Sequence, residues 1–246
     1  MTHVQVQRPD PRSFYLWHAG IPFIIACLLL VTFEFTTWDR NISNWFFDPD
    51  LPGFPLRNDW FLEVILHHWA KYVLIALGAG LLTCFLLGFK FPRWRGRRRL
   101  FLFLLLCLIA GPVLVALLKA TTNRHCPYDL KIYGGFAPYV HLLELPPSEM
   151  PRGRCFPGGH ASGGFALMGF YLAFIHRRRK WAYWALGIGF TYGFVLGFGR
   201  LMQGAHFLSH NLWTAVICWL VSLALYRLIL HSRDFGQGDD SLQINL

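Results

Sequence analysis

Charged residues are scarce in this chain, and acidic residues are the scarcest. Asp, Glu, Lys and Arg make up 15% of its 246 residues, whereas about 25% is usual in soluble domains. Asp and Glu number only 13 against 23 Lys and Arg, which gives a formal net charge of +10. Internal repeats, low-complexity segments and a separable soluble domain are also lacking. These absences exclude an ordinary soluble globular protein.

Long apolar blocks take the place of the missing charge. Hydrophobic residues are 54% of the chain and aromatic residues 17%. A helix crosses a bilayer with roughly 17 to 25 apolar residues. Six blocks reach or approach that length, the fourth being the shortest: His18–Trp38, Phe61–Phe89, Leu100–Leu118, Ala161–Ile175, Trp181–Phe198 and Phe207–Leu230. We predict an all-α integral membrane protein, a six-transmembrane-helix bundle in a single domain of residues 1–246.

Basic residues indicate the orientation of these helices. The first block follows a polar arm and has no convincing cleavage site, so we expect it to remain in the mature chain. Clusters of Lys and Arg precede the first block, follow the second and follow the fourth: Arg8, Arg12, Lys90, Arg93, Arg95, Arg97–Arg99 and Arg177–Lys180. Such clusters face the cytoplasm. The arm (residues 1–17) and the tail (residues 231–246) are then cytoplasmic, and residues 119–157 lie outside.

The location that fits this topology is a bacterial inner membrane, with the outer connections in the periplasm. The positive charge then serves orientation and attraction to anionic lipid rather than nucleic-acid binding. We therefore expect the lipid bilayer as a partner and no nucleic acid. Nothing in the sequence indicates an oligomeric state.

Two of the six cysteines, Cys126 and Cys155, lie in the long outer connection, and the other four lie in apolar blocks. An outer pair in an oxidising compartment suggests a disulfide. It would close about 30 residues and add roughly 3 to 4 kcal/mol on the chain-entropy model. Two free thiols, or a metal site that also uses His125 and His160, are the alternatives. Zinc-finger spacing is absent, so we predict neither a metal nor another cofactor.

The long outer connection is too rich in helix breakers to form one helix. Prolines and glycines interrupt it, among them Pro127, Gly134, Gly135, Pro138, Pro146, Pro147 and Pro151. We predict a folded lid over residues 119–157, placed on the outer end of the bundle.

Three polar runs between the apolar blocks carry the chemically active side chains. They are Lys119–Pro127, Phe156–Ser162, and Gly199-Arg200 with His206 and His210. Each combines cations or imidazoles with backbone-exposing Gly or Pro, as a phosphate dianion requires. Gly158 and Gly159 precede the helix that starts near His160, and amides at such a start are unpaired and open to an anion. We predict a phosphoryl-transfer site at the outer membrane face.

The order and spacing of these residues match three motifs, K-x6-R-P, P-S-G-H and S-R-x5-H-x3-D. The matching positions are Lys119, Pro127, Pro157, Gly159, His160, Arg200 and His206. In this the chain resembles the type 2 phosphatidic acid phosphatase family, membrane relatives of the vanadium-dependent haloperoxidases with a six-helix bundle. The resemblance covers about residues 100–230. Four positions depart from the motifs: Cys126 replaces Arg, Gly158 and Gly199 replace Ser, and His210 replaces Asp.

The resemblance implies metal-independent hydrolysis of phosphate esters by histidines. His206 would attack phosphorus and form a phosphohistidine, and His160 would protonate the leaving oxygen. Arg200, Lys119 and the amides near Gly159 would hold the phosphate oxygens.

Two of the departures require substitutes. Arg124, two residues before the position where the family keeps its Arg, is the natural replacement as a phosphate ligand. His210 lies four residues after His206 on the same helix face and would be a weaker orienting partner than Asp. Alternatively, a carboxylate of the lid such as Asp129 or Glu144 supplies the charge, or the site binds lipid phosphates without turning them over.

The predicted function is a lipid phosphatase that acts on a phosphate or pyrophosphate of a membrane lipid at the periplasmic face. A lipid phosphotransferase with the same intermediate, and a non-catalytic lipid-phosphate binding protein, are the alternatives. His67 and His68, in the second apolar block, are interpreted as packing residues. Neighbours on a helix point about 100 degrees apart and cannot easily chelate one ion.

Overall fold

Helices make up the fold. The computed structural model describes residues 10–51, 53–147 and 149–235, and within these ranges it contains no β-strand beyond one isolated bridge. The helices are α1 Pro11–Phe35, α2 Trp38–Asn44, α3 Phe61–Lys90, α4 Pro92–Arg95, α5 Arg98–Thr121, α6 Gly159–Ala166, α7 Gly169–Phe174, α8 Arg179–Met202, α9 Leu208–Ile229 and α10 His231–Phe235, with 3₁₀ turns at Pro127–Asp129 and Lys131–Tyr133. The predicted all-α class is confirmed.

Five of these helices, α1, α3, α5, α8 and α9, are long and apolar enough to cross a membrane. Large apolar side chains are more than half exposed on all five, for example Phe23, Leu86, Leu117, Ile188 and Leu228. Water disfavours such exposure by about 25 cal/mol per Å² of apolar surface, whereas lipid does not. The protein is therefore a multi-pass membrane protein.

Helix α1 begins at Pro11 rather than at His18. The Asp10 carboxylate accepts hydrogen bonds from the backbone N–H groups of Arg12 (3.2 Å) and Ser13 (2.9 Å). Pro11 occupies the first helical position, where a missing N–H removes no helical bond. The predicted arm (residues 1–17) therefore ends in helix. Its residues 1–9, and residues 236–246 of the predicted tail, lie outside the described residues.

The fourth predicted block, Ala161–Ile175, forms two short helices instead of one long one. At the break, Leu167 N–H donates to Gly164 C=O (3.1 Å), and bonds of this i to i−3 kind tighten the turn between α6 and α7. Neither half reaches spanning length. The described residues therefore contain five helices of spanning length rather than the predicted six.

Glycines let the α6–α7 pair lie close against α8. A Cβ atom on Gly164 would meet the backbone of Gly193, and one on Gly189 would lie 2.6 Å from the backbone nitrogen of Met168. Larger residues at these positions would force the helices apart. Because Gly164 meets Gly193 whereas the later Met168 meets the earlier Gly189, the α6–α7 pair runs antiparallel to α8. Helices α5 and α9 pack against the other sides of the pair. Phe165, in α6, is fully buried.

Two of the basic clusters, those that follow the second and the fourth apolar blocks, lie together at one end of the bundle. Their side chains line one wide cavity where α5 begins and α7 ends: Arg95, Arg97, Arg98, Arg99, Arg177, Arg178 and Lys180. Lys119 lies in the last turn of α5 and His160 in the first turn of α6. The length of the bundle therefore separates the positive clusters from the residues with predicted phosphoryl-transfer roles.

The outer connection between α5 and α6 folds back on itself. Gly153 N–H donates to Asn123 Oδ1 (2.8 Å), and Cys155 N–H donates to Arg124 C=O (2.8 Å). Beside this pairing, Cys126 and Cys155 form the predicted disulfide. Their Cα atoms are 5.1 Å apart, inside the usual range for a disulfide. The bridge closes the connection at its base.

The outer connection also builds a small apolar cluster. Leu130, Tyr133 and Ala137 are buried together with Phe54, from the connection before α3, and Phe207, at the start of α9. Burial of these side chains holds the connection on the bundle end that carries Lys119 and His160. The outer connection is thus a folded part of the structure.

Removing the bridge should lower the stability of the protein. The closed loop is worth roughly 3 to 4 kcal/mol on the chain-entropy model, so Cys126→Ser should lower the Tm by several degrees. Thermal unfolding in detergent, followed by tryptophan fluorescence, measures the shift. Cys27→Ser, at an exposed free cysteine, is the control and should leave the Tm unchanged. A dithiol reductant should lower the Tm of the wild type and of Cys27→Ser but not that of Cys126→Ser. A wild-type Tm that does not change with the reductant would contradict the bridge.

Candidate active site

Parts of the three polar runs meet at the end of the bundle opposite to the basic clusters. Lys119 ends α5, Gly159 and His160 open α6, and Arg200 lies in the last turn of α8. A Cβ atom on Gly159 would lie 3.7 Å from Lys119 Nζ, so the ammonium group faces the start of α6. The packing of α5, α6 and α8 therefore brings cations and an imidazole together.

A tight turn between α8 and α9 carries His206 to the same end. Ala205 N–H donates to Arg200 C=O (2.9 Å) and closes the turn. Gly204 has a φ angle of +66°, and a side chain there would meet the ring of Phe54. Glycine is the residue that tolerates both the angle and the close approach. The turn thus brings Arg200 and His206 to the same end of the bundle.

His206 is buried and contacts the disulfide. Its Nδ1 lies 3.4 Å from Cys155 Sγ. A bridged sulfur carries no hydrogen, so the imidazole donates from Nδ1 in this contact and the sulfur accepts weakly. A neutral ring with its proton on Nδ1 keeps the lone pair on Nε2. This tautomer can attack an electrophile through Nε2.

The surroundings of His206 favour its neutral form. Burial lowers the pKa of His206 well below the ordinary histidine value, and the positive charges of Lys119 and Arg200 lower this pKa further. A neutral imidazole is the nucleophilic form. His206 therefore does not need to lose a proton at neutral pH before it can react.

His210 does not hydrogen-bond His206. The two rings meet edge to face with centroids 5.8 Å apart, and His210 Nδ1 is buried without a partner among the described residues. The backbone of His210 has a separate contact, since its carbonyl accepts Gly158 N–H (3.1 Å). The orienting role predicted for His210 thus has no direct hydrogen bond in this structure. The Gly158 amide, a predicted phosphate ligand, is already bonded to α9.

The guanidinium of Arg200 is held through one of its nitrogens, Nη1. Its Nη1 donates to Glu63 Oε2 (3.1 Å) and to Gln203 Oε1 (2.8 Å). Its Nε is buried and has no partner within the described part of the chain. A planar guanidinium fixed in this way keeps a donor for an oxyanion.

His160 is paired with a residue outside the three polar runs. His160 Nε2 lies 2.8 Å from His67 Nε2, and the ring centroids are 3.7 Å apart. His67 Nδ1 in turn lies 3.9 Å from Glu63 Oε1. The first nine residues of α3, Phe61–Trp69, are π-helical, a form that is frequent at functional sites. This turn brings Glu63 and His67 to His160 and Arg200.

Glu63 and His67 are site residues that the spacing of the motifs does not reveal. The interpretation of His67 as a packing residue is incomplete, because its ring is bonded to His160. One sequence signal points to this turn. Glu63 is the single acidic residue in the block Phe61–Phe89, and a charged residue inside an apolar span is a functional candidate.

Arg124 points into the outer connection. Its Nη2 donates to the carbonyl oxygens of Leu142 (2.7 Å) and Glu144 (2.5 Å). Its Nε and Nη1 are buried and lack a partner among the residues described. Burial lowers the pKa of Arg124, while Glu34 and Glu144 raise it. The role of Arg124 as a phosphate ligand stays a prediction.

The carboxylates near the site are not those that the sequence suggested. Asp129 and Glu144 accept backbone N–H bonds inside the outer connection, so neither substitutes for the missing motif Asp beside His206. Asp39, in α2, is instead buried at the start of α9 and accepts bonds from the backbone N–H (3.0 Å) and the hydroxyl of Ser209. Burial raises the pKa of Asp39 to about 6. Its carboxylate caps the helix that follows His206.

One group of side chains could in principle hold a metal ion. Cys155, His206 and His210 offer ligand atoms that all lie within 4.8 Å of one another, and a thiolate with two imidazoles is a donor set that zinc favours. The Cys155 sulfur is bonded to Cys126, however, and is not a thiolate. Without its anionic ligand, this set does not fit a resident zinc ion.

A family model described as the PAP2 superfamily matches residues 100–234, more than half of the chain. The chain belongs to the PAP2 superfamily. This membership confirms the family that the motifs predicted, and with it the enzyme class, a phosphoric ester hydrolase acting on lipid phosphates. The matched range runs from α5 into α10 and includes Lys119, His160, Arg200 and His206.

One solved structure similar to this PAP2 protein is described as the first transmembrane PAP2 type phosphatidylglycerolphosphate phosphatase from Bacillus subtilis. It is 19% identical, with a TM-score of 0.50, and the similarity covers 87% of this chain and 94% of that one. At this identity the likeness concerns the fold, a membrane bundle of helices. A comparison with curated proteins finds no match.

The pH dependence of hydrolysis should show that the His206 pKa is lowered. The acid limb of kcat/KM, corrected for ionisation of the substrate, should lie well below pH 6.5, the ordinary histidine value. Lys119→Met removes a positive charge, which raises the pKa of His206 and should move the limb to higher pH. Initial rates measured from about pH 4 to about pH 8, a range that spans histidine titration, give the position of the acid limb in the wild type and its shift in Lys119→Met. A wild-type limb at the ordinary histidine value that Lys119→Met does not move would contradict this account.

Proposed function

We propose that this PAP2 protein hydrolyses a lipid phosphate or pyrophosphate at the periplasmic face of a bacterial inner membrane, through a phosphohistidine at His206. The observation that supports it most is the state of His206, a buried imidazole that contacts the bridged Cys155 through Nδ1. Lys119, Arg200 and His160 act on it electrostatically. A nucleophile, an acid and two cations are thus gathered at one end of the bundle.

The phosphate binds between α5, α6 and α8 in this proposal. Lys119 faces Gly159 as a point charge, and Arg200 offers the unpartnered Nε. The amides of Gly159 and His160 open α6, where a helix has no internal acceptor for its first N–H groups. Two cations and a helix start suit a phosphate dianion.

The reaction then proceeds in two steps. His206 Nε2 forms a bond to phosphorus while the bond from phosphorus to the ester oxygen breaks, and that oxygen takes a proton from His160. Water next attacks the phosphohistidine, His160 takes a proton from the water, and phosphate leaves as the bond to Nε2 breaks. No other reactant is required, and the histidines return to their initial state.

The disulfide supplies the orientation that the family motif assigns to Asp. Cys155 Sγ is 3.4 Å from His206 Nδ1, whereas His210 meets the ring edge to face without a hydrogen bond. A bridged sulfur fixes the tautomer through a weak bond but adds no negative charge. We therefore expect a slower attack than a carboxylate would support, and an orienting role for His210 that is secondary to Cys155.

The membrane topology of this proposal has six crossings, of which the α6–α7 pair is the fourth. The pair runs antiparallel to α8, which supports counting it as one crossing beside the five helices of spanning length. The basic cavity end is assigned to the cytoplasm with both termini. The opposite end carries the disulfide, which persists in an oxidising compartment such as the periplasm, and the outer connection at residues 119–157 is the lid of the site.

Release of phosphate from lipids tests the function directly. Detergent-purified protein is incubated, with a chelator present, with phosphatidic acid, phosphatidylglycerol phosphate and a polyprenyl pyrophosphate. We expect turnover of at least one of them by the wild type and a loss of at least about 10⁴-fold for His206→Ala, because the nucleophile is gone. His160→Ala should lose about 10²- to 10⁴-fold, as is usual for an acid–base group. His210→Asp should keep or raise the rate.

Three outcomes would overturn the proposal. Turnover that survives His206→Ala would exclude the phosphohistidine at this residue. Binding of the lipids without phosphate release by wild type and His210→Asp alike would indicate a binding protein. Transfer of the phosphate to a second lipid, without free phosphate, would indicate a phosphotransferase.

A further inference from the structure

The contact between His160 and His67 places a second imidazole behind the proposed acid. Their Nε2 atoms are 2.8 Å apart, which is hydrogen-bond distance, so one ring donates and the other accepts. His160 Nδ1 has no hydrogen-bond partner among the described residues. The ring therefore meets His67 with one nitrogen and leaves the other for the substrate.

Arg200 indicates which ring holds the shared proton. Its Nη1 lies 3.5 Å from His67 Nδ1, and a guanidinium can only donate. A neutral His67 that accepts at Nδ1 carries its proton on Nε2 and donates it to His160. A doubly protonated His67 also donates from Nε2. In both states, the proton between the rings belongs to His67.

The carboxylate of Glu63 lies beside both His67 and Arg200. Glu63 Oε1 lies 3.9 Å from His67 Nδ1, and Glu63 Oε2 lies 3.1 Å from Arg200 Nη1. Position 210, where the family motif has a carboxylate for the nucleophile, holds a histidine. In this chain the carboxylate support, Glu63 on α3, therefore lies beside the proposed acid rather than beside the proposed nucleophile in the turn before α9.

The charges around the two rings are mainly positive until a phosphate binds. Glu63, His68 and Lys71 face the pair from α3, Lys119 from α5 and Arg200 from α8. Cations disfavour an additional proton on the rings. A phosphate dianion at Lys119 and Arg200 offsets these cations. The pair is therefore best able to hold an additional proton when the substrate is present.

We propose that His67, with Glu63 beside it, is a proton-relay residue that supplies through His160 the proton for the leaving lipid alcohol. The inference rests on the proposed function and deepens it. With substrate bound, the two rings share three protons: His160 carries one on Nδ1, and His67 carries one on Nε2 and one on Nδ1. His67 Nδ1 then presents its proton to Glu63 Oε1 instead of accepting from Arg200. As the bond from phosphorus to oxygen breaks, His160 gives its Nδ1 proton to that oxygen and takes the His67 proton at Nε2. The attacking water later returns one proton to His160, and the pair regains its third proton.

Two substrates that differ in their leaving group separate this role from a structural one. An alkyl phosphate needs a proton on its departing oxygen, whereas a nitrophenyl phosphate with an alkyl chain of equal length departs as a stable anion. The ratio of their kcat/KM values reports the proton supply, because kcat/KM covers the steps up to formation of the phosphohistidine. A loss of folding or of phosphate binding lowers both values alike.

The variants are chosen so that hydrogen bonding and proton donation separate. In His67→Gln the amide can still bond His160 but cannot give up a proton. We expect it to lose about 10²-fold or more on the alkyl phosphate and less than about tenfold on the nitrophenyl phosphate. Glu63→Gln should shift the ratio in the same direction by a smaller factor. His18→Gln is the matched control, since His18 lies on α1 and bonds Phe14 and Tyr171 rather than His160, His67 or Glu63, and should leave the ratio unchanged.

The results that would overturn the relay are distinct from a failure of the proposed function. Equal losses on both esters in His67→Gln and Glu63→Gln would make these residues structural, and a full rate on the alkyl phosphate in His67→Gln would remove His67 from the reaction. His206→Ala, measured with the same pair, should lose both activities. Activity of His206→Ala on either ester would refute the phosphohistidine, whatever His67→Gln shows.

Discussion

The contact between the Cys126–Cys155 bridge and the imidazole of His206 joins the outer connection to the site. Backbone pairing of the two arms of the connection places Cys155 next to Cys126, and the bridged sulfur then meets Nδ1 of His206. Since a sulfur without hydrogen can only accept, this contact selects the tautomer whose Nε2 is free to react. One covalent bond therefore contributes both to the fold of the outer connection and to the orientation of the buried His206, the proposed nucleophile. The α8–α9 turn at Gly204 completes the arrangement by fixing the depth of His206.

Close helix packing positions the opposing histidine. His160 opens α6, and α6 reaches the centre of the bundle because Gly164 and Gly193 allow the two backbones to touch. The same segment breaks at Leu167 into two short helices, α6 and α7. Its amides at Gly159 then lie beside Lys119, at the end of α5. A phosphate at this point would meet a helix start, an ammonium group and a guanidinium from three different helices.

Charge is distributed in this PAP2 protein in a way that the motifs do not show. Burial, together with the cations nearby, keeps His206 neutral, which suits a nucleophile. Among the described residues, the carboxylate that bonds Arg200 is Glu63, on the π-helical turn of α3. A second carboxylate, Asp39, is used to cap α9. The site thus keeps acidic groups although position 210 holds His instead of Asp, but the carboxylate lies beside the proposed acid, His160 with His67, rather than beside the proposed nucleophile, His206.

The sequence by itself determined the membrane class, the separation of basic clusters from the polar runs, the disulfide pair and the family. Each of these rests on local composition or on spacing along the chain, such as the interval between Arg200 and His206. Only the tertiary structure decided the break in the fourth block, the distance between His206 and His210, and the partners of Arg124. It also brought Glu63 and His67 to residues that lie more than 90 positions away. Helix packing fixes which side chains meet, and periodicity within one helix carries no information about the face that another helix will cover.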